Sequence, residues 1–372
     1  MKLAFILPGG VDRSGTVNVI PAWLWQIERV ARRHELHVFA LHQYPQPCTY
    51  PLLGATVHNL GWPRRRGVLI HAARCMPQFI RTFRQLGQWD GVHGWGGQPS
   101  AFTAACASRA VNVPLFTTLV GGELIALPHI RYGGRLTLLG KFMTHFALKR
   151  SNCIITISQV LQQEAQALGF ASTVVPLGVD ESCFLDVRAP NADGPFKLLH
   201  VASLNRIKDQ PTLLRALQHV LVELPDTTLD IIGVDTLNGE LQRLAEALGI
   251  AAHVRFHGFL TQEAVHPFWR QADLFVLSSL HEGQCVAVCE AAAAGVPTVG
   301  TQVGILDEWA PNNLAVGVPV GDATALANEI VTLLRDPSRR SRIATAAHAW
   351  ATAHDADWTA RQLEAIYVQE AY

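Results

Sequence analysis

Two doubly wound, parallel-sheet α/β domains in tandem are the fold class this sequence predicts, and three observations predict it. Short apolar segments alternate with amphipathic helical segments along nearly the whole chain. The alternation breaks once, at 186–196 (DVRAPNADGPF), a stretch rich in Pro, Asp, Asn and Gly with no periodicity. The chain of 372 residues is too long for one ordinary core, and 49 % hydrophobic against 16 % charged residues describes a well-buried protein rather than a disordered one.

The elements follow in order. KLAFILP reads as a first strand, VIPAWLWQIERVARR as a helix and ELHVFAL as the next strand. DGVHGWG, VPLFTTLVGG and CIITIS are short apolar strands that end in polar or Gly residues, with the helical patterns SAFTAACASRA and QVLQQEAQAL around them. After the linker, KLLHVASL, TLDIIG, VRFHGF, LFVLSS and PTVGT read as strands. QPTLLRALQHVLVEL, ELQRLAEALG, QEAVHPFWRQA, CVAVCEAAAAG and ATALANEIVTLLRD read as the helices between and after them. The expected domains are 1–185 and 186–353, followed by a terminal helix over 354–372. In sheets of this kind ligands bind beyond the carboxyl ends of the strands, so two facing domains would form a cleft suited to a small molecule.

Composition narrows the function classes. The net charge is zero, yet residues 1–185 hold 17 basic and 8 acidic side chains, whereas 186–372 hold 13 and 22. The first half therefore suits anionic surfaces or substrates, and Arg64-Arg65-Arg66 beside Trp62 is its densest basic patch. Two readings stay open for that patch, a solvated loop or a contact with anionic lipid headgroups. Seven cysteines are scattered without a C-x-x-C pair, which indicates neither a zinc site nor a disulfide framework and fits a reducing cytoplasm. MKLAFILPGG is too short in its apolar run for a secretory signal and reads as a strand and its turn. No apolar run is long enough for a transmembrane helix. No helical segment carries H-E-x-x-H, and Asp355-Ala-Asp357 reads as acids at a helix start rather than a metal site.

The stretch HEGQCVAVCEAAAAGVP, 281–297, carries the chemistry. Glu282 falls in the loop after LFVLSS, while Glu290 lies inside the next helix. Were all eight steps helical, they would span roughly 12 Å. That is too far for a shared-proton dyad and beyond the usual carboxylate spacing of glycoside hydrolases. The two acids are therefore expected to hold different parts of one extended ligand. Between them, Gly283 and the open N–H groups of a helix start suit an anion. A nucleotide sugar has the required order: hydroxyl-rich, phosphate, hydroxyl-rich.

This segment resembles the E-x7-E region of the retaining family 4 glycosyltransferases of the GT-B fold. Other segments agree in order: VVPLGVDESCF, VASLNRIKDQPTLLRAL, DIIGV, VRFHGFL, ADLFVLSS and VGDATALANEIVTLL. The match is strongest over 174–335. The resemblance implies that Glu290 binds the ribose hydroxyls and that Glu282 contacts the donor sugar near the reacting centre. It implies that backbone amides at Gly283, Gln284, Cys285 and Val286 hold sugar hydroxyls and phosphate, and that Lys208 neutralises the diphosphate leaving group. A fixed cation and aligned amides act most where leaving-group charge has grown, in the transition state. Gly9 and Gly10 resemble the family's glycine loop over the donor phosphates, with an ordinary tight turn as the alternative. His93 matches a family histidine near the cleft. The terminal helix is expected to cross back to the first domain. No metal and no cofactor beyond the nucleotide-diphosphate sugar donor is implied. A saccharide or lipid-linked acceptor is, in surface polysaccharide or glycolipid assembly on or near a membrane.

The sequence departs from the family in three places. Ser203 stands where Arg is usual, and Arg206 is the candidate replacement. Val120-Gly121-Gly122-Glu123 lacks the histidine of the usual His-Gly-x-Asp/Glu turn. Gln284-Cys285-Val286 replaces Phe, Pro and Leu types. Two alternatives stand beside transfer: a nucleotide-sugar epimerase, whose acid/base pair at C2 of the sugar the sequence does not clearly supply, and a family member that binds the donor without transferring it, which Val120 motivates. Trp23 and Trp25, and the basic stretch YGGRLTLLGKFMTHFALKR at 132–150, each admit two readings, core packing or contact with an acceptor or membrane.

Overall fold

The computed structural model describes residues 1–61, 68–187 and 189–371. The expected basic patch, Arg64–Arg66 with Trp62, lies outside the described residues. The chain divides into two compact units, Met1–Leu177 with Ala356–Tyr372, and Gly178–Asp355. The division falls eight residues before the expected 185. Residues 178–187 lie against the second unit: Leu185 N donates to Ala293 O at 3.1 Å, and Gln262 Nε2 to Cys183 Sγ at 3.0 Å.

In unit 1 the strands are β1 (Lys2–Leu7), β2 (Glu35–Ala40), β3 (Cys48–Leu52), β4 (Ala55–Asn59), β5 (Gly91–Trp95), β6 (Leu115–Leu119), β7 (Cys153–Thr156) and β8 (Thr173–Val174). Their order in the sheet is β3-β4-β2-β1-β5-β6-β7-β8, and every pairing is parallel except the β3–β4 hairpin at the edge. The hairpin turns on Leu53 and Gly54, both at positive φ, and Pro51 sits in its edge strand, where a missing N–H costs least. The helices are α1 (Pro21–Ala31), α2 (Val68–Gln85), α3 (Ser100–Val111), α4 (Leu138–Arg150) and α5 (Gln159–Ala167). Thr137 caps α4 by accepting from Gly140 N, and Ser158 caps α5 by accepting from Leu161 N. Trp23 and Trp25 are both 6 % exposed, so the core reading of these two rings holds.

Unit 2 has strands β9 (Lys197–Val201), β10 (Thr228–Ile232), β11 (Val254–Gly258), β12 (Leu274–Leu277), β13 (Thr298–Thr301) and β14 (Val316–Val318), all parallel, in the order β11-β10-β9-β12-β13-β14. Its helices are α6 (Gln210–Glu223), α7 (Glu240–Ala247), α8 (Gln262–Gln271), α9 (Val286–Ala293), α10 (Ile305–Trp309), α11 (Ala323–Arg335) and α12 (Pro337–Ala353). Asp322 and Asp336 cap α11 and α12. β9, β10, β12 and β13 are buried along nearly their whole length because both faces of a parallel sheet are covered, and β12 (LFVL) is apolar throughout. Leu198, Leu213, Leu229, Val276 and Ile330 are fully enclosed in that core. The strand order reverses between β9 and β12, and the loops leaving their carboxyl ends meet there.

The last helix, α13 (Ala356–Ala371), is part of unit 1. Its start is tied to α1: Gln26 Nε2 donates to Ala356 O, and the Arg29 guanidinium pairs with Asp357 at 3.0 Å. Asp357 therefore serves as a helix-start acid and ion-pair partner. Farther along, Arg33 pairs with Glu364 at 2.8 Å.

Candidate functional site

The site of unit 2 is assembled where β9 and β12 diverge. Beyond β9 the chain turns through a short 3-10 segment, Arg206–Lys208, whose cap is Asn205 Oδ1 accepting from Lys208 N. Beyond β12 run Ser278, Ser279, Leu280, His281 and Glu282. Two hydrogen bonds tie these loops together: Leu280 N donates to Ile207 O at 2.8 Å, and Ser278 Oγ to Lys208 O at 2.8 Å. This stitching brings Lys208 Nζ to 2.6 Å from Glu282 Oε1. The same carboxylate oxygen accepts from Ser279 Oγ at 2.5 Å, and Ser279 O in turn accepts from Thr301 Oγ1 at 2.7 Å. Glu282 is only 9 % exposed, so its charge is matched by a lysine and a hydroxyl rather than by bulk water.

Gly304 closes this loop from behind. It holds φ +56°, and an added Cβ would lie 2.7 Å from Gln284 O and 2.8 Å from Glu282 Cβ. Ile305 N donates to Gln284 O at 3.0 Å, fixing the same segment. The helix begins at Val286, one to two residues later than the spacing suggests, because Cys285 stands at φ +73° and breaks the helical path. No side chain makes a cap bond to α9, and Val288 N donates to Cys285 O at 3.0 Å, so the N–H groups at its open end are those of Val286 and Ala287. Cys289 is buried and receives Gln284 Nε2 at 3.2 Å, the bland packing role its position suggests.

Glu290 lies on α9, half-buried. Its carboxylate makes no hydrogen bond or ion pair to a described residue, and burial pushes its pKa up to about 7. An acceptor held in a desolvated setting without a partner gains from a ligand hydroxyl. Arg206 is drawn elsewhere: both Nη atoms meet the Glu240 carboxylate, at 2.7 and 2.6 Å, in an exposed bidentate pair. The structure thus brings together Lys208, Glu282 and the 283–286 segment, and it leaves Arg206 on the first residue of α7.

Unit 1 has a corresponding point between β1 and β5, where several polar groups are taken by the protein itself, although the buried Trp95 Nε1 has no acceptor among the described residues. Gly10 takes φ +81°, where a Cβ would press on Ile20 and Trp23. Its N–H and that of Val11 both donate to Gln43 Oε1, at 2.7 and 3.0 Å. Gly9 is buried beside it. The expectation for His93 is corrected by the geometry. Its ring is 2 % exposed on β5, with Nδ1 at 2.6 Å from Tyr367 Oη and Nε2 at 2.7 Å from Thr118 Oγ1. Phe5, Trp95 and Phe116 surround it, and burial lowers its pKa to about 3, so it is neutral and fully engaged inside unit 1. In the Val120–Glu123 turn, the Glu123 carboxylate accepts from Val120 N and Gly121 N at 3.2 and 2.7 Å. Ser279, Thr301 and Gly304 are the site residues that sequence reasoning missed. The paired serines closing LFVLSS, and a glycine after the next strand, are the signals that could have pointed to them.

With that geometry in place, comparison with known proteins gives the class. The fold matches a sucrose-phosphate synthase from Thermosynechococcus elongatus (TM-score 0.80, 17 % identity, 99 % of each chain). It also matches the Anabaena protein Alr3699/HepE solved with UDP and glucose (TM-score 0.75, 19 % identity, 99 % of this chain and 100 % of that one). Two Rossmann-like parallel-sheet units of this kind define the GT-B fold. Residues 185–350 match the family described as glycosyl transferases group 1, and residues 20–178 match the glycosyl transferase 4-like domain. The chain belongs to the group 1 glycosyltransferases. Among curated relatives, a glycogen synthase of Mycobacterium tuberculosis is 29 % identical over 264 residues, 69 % of this chain and 63 % of that protein. A GDP-mannose-dependent phosphatidylinositol monomannoside mannosyltransferase of Mycolicibacterium smegmatis is 30 % identical over 197 residues, 48 % of this chain and 50 % of that one. The matched region thus spans less than two thirds of each of these two relatives.

Proposed function

We propose that the protein transfers a sugar from a nucleotide-diphosphate sugar to a hydroxyl of a saccharide or lipid-linked acceptor, with retention at the anomeric carbon. The observation that carries this reading is the Lys208–Glu282 pair at the strand-order reversal of unit 2, beside the uncapped start of α9. A diphosphate placed there would meet a cation and open backbone N–H groups as its charge develops on bond cleavage. Glu282, held by Lys208 and Ser279, would accept from donor hydroxyls near the reacting carbon. Glu290, a desolvated acceptor farther along α9, suits the hydroxyls at the nucleoside end. No metal is needed in this scheme, since Lys208 and the helix start supply the positive potential.

The relatives support the choice of substrate class. The Anabaena protein was solved with UDP and glucose, the mycobacterial mannosyltransferase is named for a GDP-mannose donor and a lipid acceptor, and a Rhizobium meliloti relative for lipopolysaccharide core synthesis. We assign this chain to the assembly of surface polysaccharide or glycolipid on that basis. The test is incubation with a panel of labelled nucleotide sugars and saccharide or lipid acceptors, with and without EDTA. The expected result is transfer from at least one donor, unchanged by EDTA; no transfer and no donor hydrolysis with any of them contradicts it.

One observation favours a second reading, a protein that binds the donor without transferring it. Val120 stands in place of a histidine, and Glu123 closes the amides of that turn. Donor binding without turnover, with turnover appearing in Val120→His, would establish that reading; turnover by the natural sequence ends it.

A further inference from the structure

Helix α4 is apolar on two faces, which is why its sequence admits two readings. Its inner face, including Met143, Ala147 and Leu148, is buried in unit 1. Its outer face opens with Leu138, 84 % exposed, and Phe142, 58 % exposed, next to the exposed Leu136 and Leu139. Single exposed apolar residues are ordinary, but four large ones within seven positions form a patch. Phe142 leads on to Phe146 (ring centroids 6.0 Å apart), and the Arg150 guanidinium covers Phe146 at 4.6 Å.

The charge around the patch has one sign. From Leu124 to Gln163 the chain contains no Asp or Glu, yet it holds Arg131, Arg135, Lys141, Lys149 and Arg150. None of these five forms an ion pair with a described residue. Lys141, His145 and Lys149 are exposed and recur every four residues, so they run along the same outward side of α4 as Leu138 and Phe142. With 13 residues, α4 is far short of a membrane span, and among the described residues no helix is long and apolar enough to cross one. An exposed apolar cluster, flanked along its whole length by unpaired cations with no acid between them, matches a continuous anionic surface with an apolar layer beneath it.

We propose that the outer face of α4 and the preceding turn dock unit 1 onto an anionic lipid bilayer. Leu136, Leu138, Leu139 and Phe142 enter the headgroup boundary, while Arg135 and Lys141 meet lipid phosphates. This inference stands apart from the transfer reading, because it uses no residue of the unit 2 site.

The experiment is co-sedimentation of the full chain with phosphatidylcholine vesicles, with and without phosphatidylglycerol. The wild type is expected to bind the anionic vesicles, and the Leu138→Ser/Phe142→Ser double variant to lose about tenfold or more in partitioning. Arg135→Gln/Lys141→Gln is expected to lose roughly fivefold per charge at low salt and to become indistinguishable from wild type at high salt. Circular dichroism and thermal melting serve as controls that both variants are folded. Three results would overturn the proposal: no wild-type binding to anionic vesicles, both double variants binding as the wild type does, or a wild-type dimer in sedimentation velocity that the Leu138→Ser/Phe142→Ser variant dissociates. The last would assign the patch to a second copy of the chain.

Discussion

The two sheets reverse strand order in the same way, between β1 and β5 in unit 1 and between β9 and β12 in unit 2, yet their polar groups are disposed oppositely. In unit 1 the loop amides of Gly10 and Val11 are taken by Gln43, and the histidine of β5 is enclosed by Tyr367 and Thr118. In unit 2 the start of α9 has no capping side chain, and Glu290 has no partner among the described residues. One topology thus carries two arrangements, one in which loop amides and a histidine are engaged by the protein's own side chains and one with no capping side chain at its helix start. The fold sets where a site can be, and the local side chains decide whether it is one.

The largest expected effect comes from cutting the open site. Glu282→Gln and Lys208→Gln should each lower turnover by about 100- to 1,000-fold, the range for losing one electrostatic partner of a developing charge. Turnover within a few-fold of wild type, with the thermal midpoint kept, would remove the pair from the reaction. The counterpart change in the interior of unit 1 is His93→Leu. It strands the Tyr367 and Thr118 hydroxyls at about 1–3 kcal/mol each, so the thermal midpoint should fall by several degrees while turnover at low temperature stays within about threefold. A collapse of turnover without a fall in the midpoint would restore His93 to the chemistry and break the contrast.

A smaller effect is expected at Gly304. Gly304→Ala puts a Cβ against Glu282 and Gln284 at a left-handed φ, which costs about 1–3 kcal/mol and should displace the Glu282 loop. Turnover should drop roughly tenfold with little change in donor affinity, since Gly304 backs Glu282 rather than the nucleoside end. Equal losses in Ala and in a control substitution at the exposed Gly249, where nothing lies within 4 Å of an added Cβ, would show only backbone strain.

The smallest effects are in pH. Glu290 in the free protein has its pKa raised to about 7, above the ordinary 4.5, so its ionised form grows as pH rises through neutrality. Donor affinity should therefore improve a few-fold from pH 6 to 8, and the slope should vanish in Glu290→Gln. For stability the sign runs the other way: the Glu290 contribution is present below 4.5 and lost as pH rises through 7. His200, enclosed between Val276 O and Gln210 with its pKa lowered to about 4, contributes above its ordinary 6.5 and loses that contribution as pH falls through 4. His93 adds to the same acid-side loss. Thermal midpoints measured across pH 4 to 8 should therefore begin to fall below about 6.5.

Strands with both faces covered leave a mostly apolar signature, so KLAFIL, TLDII and LFVL were legible as β1, β10 and β12. The β3–β4 hairpin was not, because its exposed edge strand contains Pro51 and its turn has no Asn-Gly or Asp-Gly pair. Helix α12 was missed as well: its buried residues are mostly alanines with one arginine, which give no apolar stripe. At the site, Glu282, Glu290 and Lys208 could be read from spacing and resemblance. Their supports could not, since Ser279, Thr301 and Gly304 come from other points of the sheet and meet only in three dimensions. His93 misled because a histidine on a short strand reads alike whether it lines a site or fills a core. Its partners Thr118 and Tyr367, the latter 274 residues away, show which.

We expect unit 2 to hold the donor diphosphate between Lys208 and the start of α9. A crystal structure with a bound nucleotide sugar tests it most directly. The account predicts phosphate oxygens within hydrogen-bonding distance of Lys208 Nζ and of the N–H groups at 285–287, with a sugar hydroxyl on Glu282. A donor bound elsewhere, with the Lys208–Glu282 pair untouched, would contradict it.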